Sequence, residues 1–208
     1  MKVDLIDNFL DIEDFIALNN LSLEKVSKND IKVYHNSIAK DKVIISECIP
    51  NQILKKLNNK YHDRAIEILK KINEEKVDLY DYSEFHIIET GSHYSFPIHD
   101  DTPNKLLSGV IYLRPQENCG TNFYDSKSGK NQRTIEWKCN RAVFFSRLEG
   151  ETWHSYKGDE RSNRVALVYN LMTNRIKQVY KVEKKSYIIG SLRYKLNPYI
   201  YKLFKKTL

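Results

Sequence analysis

His99 and Asp101 stand two residues apart in the stretch Pro97-Ile98-His99-Asp100-Asp101. On an extended backbone, side chains two apart project from one face. An imidazole and a carboxylate then lie side by side, and Asp100 turns the other way. Such a pair supplies two ligands to a metal ion. A second imidazole from a later strand completes a two-His-one-carboxylate set, which holds Fe(II) on one side and leaves the other positions open. His154, in Trp153-His154, is the candidate third ligand. Arg164 follows ten residues later, a fixed cation of the kind a dicarboxylic co-substrate needs. A guanidinium can bind a carboxylate through two parallel hydrogen bonds. On a strand starting at Arg164, residues Arg164, Ala166, Val168 and Asn170 share a face. Tyr112 is placed to donate its hydroxyl to the same carboxylate, and Arg161 is the rival cation.

These side chains need a scaffold that brings distant segments together. From Tyr82 onward the chain reads as short strands separated by turn signals: 82–89, 93–101, 106–113, 120–124, 133–138, 142–146, 152–156 and 164–171. About eight such strands predict a sandwich or jelly roll. Upstream, residues 3–9 predict a strand and 11–20 a helix with Ile12, Phe15, Ile16 and Leu18 apolar. Residues 31–35 and 42–48 predict short strands. Leu54, Leu57, Tyr61, Ala65, Leu69 and Ile72 recur every three or four residues after an Asn51 N-cap, the pattern of an amphipathic helix of about six turns. The fold class expected is mainly β with flanking helices, in one domain. Residues 1–80 serve as helical support, 81–173 as the β core, and 174–208 as a basic extension.

Taken in order, the pieces His99-Asp100-Asp101, Ser108-Gly-Val-Ile-Tyr-Leu113, Gly120-Thr-Asn-Phe123, Phe144-Phe-Ser146 and Trp153-His154 with Arg164 resemble the 2-oxoglutarate and Fe(II)-dependent dioxygenases, near the prolyl-hydroxylase-like branch. The opening Ile6-Asp-Asn-Phe-Leu10 is also common there. The resemblance covers residues 82–172 well and the N-terminal third weakly. It implies a double-stranded β-helix, with His99, Asp101 and His154 on iron and Arg164 and Tyr112 on 2-oxoglutarate. Dioxygen would be the second co-substrate, and a carboxylate at position 101 favours hydroxylation over halogenation. Two positions depart from the pattern. Thr121 stands where a second glycine commonly occurs, and Ala166 where a hydroxyl often follows the arginine. The substrate, a small molecule or a protein side chain, is not encoded. Loops 91–98, 102–105 and 125–132 are the expected walls of its entrance. Tyr94 and Asn170 are candidates to line it. His86 and His93 read as strand and loop histidines, and Asp100 either positions substrate or, the favoured reading, caps the turn before Thr102-Pro103.

Two other classes compete. One is a cupin-like metal protein that does not use 2-oxoglutarate. The other is a non-enzymatic binding module. The chain's bulk properties favour neither. Of 208 residues, 29% are charged and 41% hydrophobic, as expected of a globular protein. No apolar run reaches membrane-span length, and no apolar leader follows Met1, which reads as a cytoplasmic protein. Three cysteines without CxxC spacing, Cys48, Cys119 and Cys139, read as reduced thiols. Residues 174–208 hold ten Lys or Arg and one acid, Glu183, a net charge of +9. The whole chain sums to +7, so the remainder sums to −2. That basic tail reads as a solvated face, a contact for an anionic partner such as nucleic acid, or a membrane-surface element. No nucleic-acid motif accompanies it. Within it, residues 179–182 and 187–189 predict strands. Asn197-Pro198 predicts the start of a helix with Ile200, Leu203, Phe204 and Leu208 on one face and Lys202, Lys205 and Lys206 elsewhere.

Overall fold

The computed structural model describes residues 2–204; Lys205, Lys206 and Leu208 of the expected tail helix lie outside them. Its strands are β1 Val3–Ile6, β2 Ile31–Tyr34, β3 Asn36–Ala39, β4 Ile44–Ser46, β5 Tyr82–Thr90, β6 Ser95–His99, β7 Lys105–Arg114, β8 Thr121–Tyr124, β9 Arg133–Ile135, β10 Ala142–Phe145, β11 Trp153–Lys157 and β12 Arg164–Met172. The larger sheet runs β1-β10-β7-β12-β5-β3-β4, with β2 also paired to β5, and the smaller runs β6-β11-β8-β9. All neighbours are antiparallel. The result is the jelly roll expected from the strand spacing. The first 80 residues do more than support it, since β1 to β4 extend the larger sheet. β3 escapes the sequence pattern because it is four residues long and begins with two polar ones.

The helices are α1 Ile12–Asn19, α2 Asn51–Asn73, α3 Ile176–Val182 and α4 Tyr187–Phe204, with a 3-10 segment at Glu74–Leu79. α2 buries Leu54, Leu57, Tyr61, Ala65 and Leu69 along one face. They join a core with Leu107, Phe144 and Leu171 of the larger sheet. The cap of α2 is Pro50 rather than Asn51, whose amide oxygen instead accepts from the Ser46 hydroxyl at 2.6 Å. Between the two sheets Phe123 packs on Tyr112, Val143 and Phe145. β7, buried on both faces, lies at the centre. A Cβ at Gly109 would fall 2.3 Å from the Phe144 ring and 2.6 Å from the Tyr169 carbonyl oxygen. Only glycine fits where β7 passes between β10 and β12.

The tail corrects two expectations. Residues 179–182 and 187–189 are helical, not extended. Ile176, Val179 and Tyr180 recur at helical spacing, and burial of Val179 and Tyr180 outweighs the β-forming composition. α4 also begins ten residues before Asn197 and runs through Pro198, forgoing one backbone hydrogen bond there.

Candidate metal centre

β11 pairs with β6 so that His154 lies directly opposite His99. Residues opposite each other on antiparallel strands share a face, and the two ring centroids are 4.1 Å apart. β6 ends at His99, so Asp101 reaches the site from just beyond the strand. One ligand atom from each of His99, Asp101 and His154 lies within 4.8 Å of the others, the only group of three or more potential ligand side chains among the described residues. The sequence expectation of a convergent triad matches this geometry.

The donor set fits a metal ion. His99 Nδ1 faces the Pro97 carbonyl at 3.0 Å, and His154 Nδ1 faces the Thr152 carbonyl at 2.9 Å. A carbonyl only accepts, so Nδ1 carries the proton in each neutral ring and Nε2 keeps its lone pair for a metal. Burial, followed by the nearby His154, pulls the His99 pKa down to about 3, which keeps that ring neutral. Asp101 accepts from Lys105 Nζ at 2.7 Å and from Ser108 Oγ at 2.5 Å. Burial would raise its pKa, but the charge and hydrogen bond of Lys105 outweigh it and hold the carboxyl well below the usual range. It is therefore anionic at neutral pH.

The surrounding chain fixes these positions. The Arg147 guanidinium donates to the Asp101 carbonyl at 3.2 Å. Asp100 lies beyond the end of β6, does not join the triad, and does not cap the turn that follows it. Its buried carboxylate accepts from Thr152 Oγ at 2.6 Å and from the Gly150 N–H at 2.8 Å. A carboxylate withdrawn from water needs such donors, and these lie in the loop that leads into His154. Burial still pushes its pKa upward.

A cavity of about 240 Å³ opens on the triad between the two sheets. Arg164, Ala166, Val168 and Asn170 all line it, the face assigned from the strand period. Arg164 is 4% exposed and donates to the Cys119 carbonyl at 3.0 Å. Its guanidinium lies 4.5 Å from the Tyr156 ring centroid and 5.1 Å from that of Trp137. Among the described residues no carboxylate pairs with it. Burial lowers its pKa, yet a guanidinium stays protonated, so the cavity wall carries a cation suited to an anionic ligand. Arg161 is exposed on the preceding turn, where its N–H donates to Asp159, and does not line the cavity.

Tyr112 departs from the expectation. It is fully buried and absent from the cavity wall. Its hydroxyl bonds Thr121 Oγ at 2.8 Å and accepts the Thr121 N–H at 3.0 Å. The departure at Thr121 and the tyrosine thus account for each other. Tyr112 stacks on Trp137 at 4.4 Å and lies 6.0 Å from the Arg164 guanidinium, so it supports the arginine from behind. Tyr94 and loop 125–132 do not line the cavity, whereas Ile31 and Val33 of β2 do. Their period-two spacing marks a strand face but gives no hint of its destination. Asn170 lines the cavity with its Nδ2 bound to Glu84 at 3.0 Å and its Oδ1 buried without a protein partner. His86 is a strand residue held between the Asn36 N–H and Glu84, and His93 is exposed. A second groove beside the triad includes Tyr194, Asn197 and Pro198 of α4, which no local signal foretold.

No family model matches the sequence, and no curated protein is significantly similar to it. Solved structures do match. A prolyl-4-hydroxylase from Pseudomonas putida superposes with a TM-score of 0.54 at 14% identity, over 83% of this chain and 92% of the other. An oxidoreductase of the 2OG-Fe(II) oxygenase family from Burkholderia pseudomallei gives 0.57 at 14% identity, over 83% and 88%. A Trichoplax adhaerens prolyl hydroxylase, solved with a peptide fragment of the hypoxia inducible factor oxygen degradation domain, gives 0.54 at 15% identity, over 85% and 86%. The two facing sheets and the helices packed on them are therefore the jelly-roll fold of the 2-oxoglutarate/Fe(II) oxygenases, prolyl hydroxylases among them.

Proposed function

We propose that this protein is an Fe(II)- and 2-oxoglutarate-dependent dioxygenase that hydroxylates its substrate as 2-oxoglutarate is decarboxylated to succinate. The observation that carries the reading is a pair of imidazoles and a carboxylate converging on a cavity whose wall also bears a buried cation without a carboxylate partner among the described residues. Fe(II) with 2-oxoglutarate supplies dioxygen activation. The chain's own part is to hold and orient. His99, Asp101 and His154 would hold the metal, with Pro97 and Thr152 carbonyls fixing both imidazole tautomers. Arg164 would take the far carboxylate of 2-oxoglutarate, and Tyr112 and Trp137 keep the guanidinium in place. Phe96, Phe145, Ile88 and Val110 give the cavity apolar walls that limit water. Asn170 Oδ1 offers an acceptor to a substrate donor group.

The test measures succinate formed from 2-oxoglutarate in air with Fe(II). Succinate is expected to depend on iron and to be lost in His154→Ala. Anaerobic addition of Fe(II) and 2-oxoglutarate is expected to give a visible charge-transfer band in the wild type alone. Succinate released at full rate by His154→Ala would overturn the assignment.

A further inference from the structure

α4 is mounted with its apolar side outward. Ile188, Leu192, Leu196 and Tyr199 recur at three or four residues and form one stripe, and Ile189 widens it. They are 78%, 58%, 43%, 69% and 72% exposed respectively. The face turned to the body is small and polar. A Cβ on Gly190 would meet the Tyr180 ring at 2.2 Å, so the helix backbone rests directly on α3. Arg193 pairs with Glu149 at 2.7 Å. Tyr194 and Asn197 face the groove beside the metal centre. A helix on a water-exposed surface normally shows the reverse order. Scattered exposed apolar residues need no explanation, but a contiguous stripe does.

Charge tells which occupant fits. From residue 184 to 204 the sequence has five Lys or Arg and no acid. Lys185 and Arg193 are engaged by Glu151 and Glu149. Lys184, Lys195 and Lys202 have no carboxylate partner among the described residues. Lys195 and Lys202, seven apart, project along one margin of the stripe. A second copy of the chain would set one cationic helix against another. An anionic bilayer surface accommodates both properties. Ile and Leu enter the acyl boundary, Tyr199 suits the interface, and lysines reach back to acidic headgroups. Among the described residues no helix is long and apolar enough to cross a membrane, so the association would be peripheral. We infer that the outward face of α4, Ile188, Ile189, Leu192, Leu196 and Tyr199 with Lys195 and Lys202, docks the protein on an anionic lipid surface.

The full chain is tested by co-sedimentation with phosphatidylcholine vesicles, with and without phosphatidylserine. Binding is expected to the anionic vesicles only. It should weaken as salt rises from about 0.1 M to about 0.5 M, because exposed charges are screened over a shorter distance. Leu192→Glu should abolish binding, and Lys195→Glu with Lys202→Glu should weaken it at least about tenfold. Thermal melting checks that these exposed substitutions leave the fold intact. Wild-type protein that stays in the supernatant with anionic vesicles would overturn the inference. So would Leu192→Glu binding as well as the wild type. A concentration-dependent dimer that Leu192→Glu dissolves, without vesicle binding, would assign the face to self-association instead. None of these readouts depends on succinate formation.

Discussion

Arg164 and Tyr112, both candidates for the 2-oxoglutarate carboxylate, have different surroundings, and that difference can be measured. Arg164 lies on the cavity wall, while the Tyr112 hydroxyl is engaged by Thr121. Arg164→Lys keeps the charge but loses the planar fork, so the KM for 2-oxoglutarate should rise about tenfold or more, as loss of a charge-assisted bond of about 1.5–3 kcal/mol implies. Tyr112→Phe leaves the Thr121 N–H without its acceptor and should cost about 1–3 kcal/mol of stability. It should leave the KM within about twofold. Succinate titrations and denaturant melts of both variants separate these roles. An equal KM rise in Tyr112→Phe would show that the tyrosine touches the co-substrate after all.

At the scale of elements, α1 is short, and helices of this length are marginal alone. It is fastened to α2 through Asp14, which is 2% exposed. Asp14 meets Lys56 and Lys60 at 2.8 and 2.7 Å and accepts from the Tyr61 hydroxyl at 2.8 Å. Burial alone would raise its pKa, but these donors together lower it from 3.8 to about 2. A depressed folded pKa adds stability above the unfolded value and loses it as pH falls through the folded one. Unfolding free energy should therefore fall between pH 3.8 and about 2, with Asp14 contributing to the slope. Asp14→Asn should flatten that part of the curve and cost about 1–3 kcal/mol at neutral pH. Urea denaturation across a pH series decides it; an unchanged slope in the variant would refute the role of Asp14.

Across the whole molecule, a buried ion network joins the tail to the scaffold behind the candidate metal centre. Glu183 accepts from Lys76 Nζ at 2.7 Å and from Arg147 at 2.6 Å, with Glu183 and Lys76 side chains fully buried. Arg147 also contacts Glu149, which binds Arg193 of α4. Burial lowers the Lys76 pKa, so its charge depends on Glu183. Removing one partner of a buried ion set strands the others. Glu183→Ala should cost about 3–5 kcal/mol and expose α3 amides to faster hydrogen exchange. Because Arg147 also holds the Asp101 carbonyl, weaker Fe(II) binding should accompany the loss. Wild-type melting of this variant would show that the network adds nothing to the fold.

Local sequence determined the parts whose period is strong. The apolar face of α2, most strands of the jelly roll, and the cavity-facing set from Arg164 to Asn170 follow from side-chain alternation, which needs no knowledge of neighbours. The spacing of His99 and Asp101 likewise pointed to one metal, with His154 as the candidate third ligand. Tertiary structure decided what each face meets. Strand register set His154 against His99 across a gap of 55 residues, and Thr121 claimed the Tyr112 hydroxyl. Burial of Val179 and Tyr180 made a helix of residues 179–182, whose composition favours a strand. Those outcomes depend on which distant surface is nearest, and a one-dimensional pattern carries only the orientation of a side chain, not its destination.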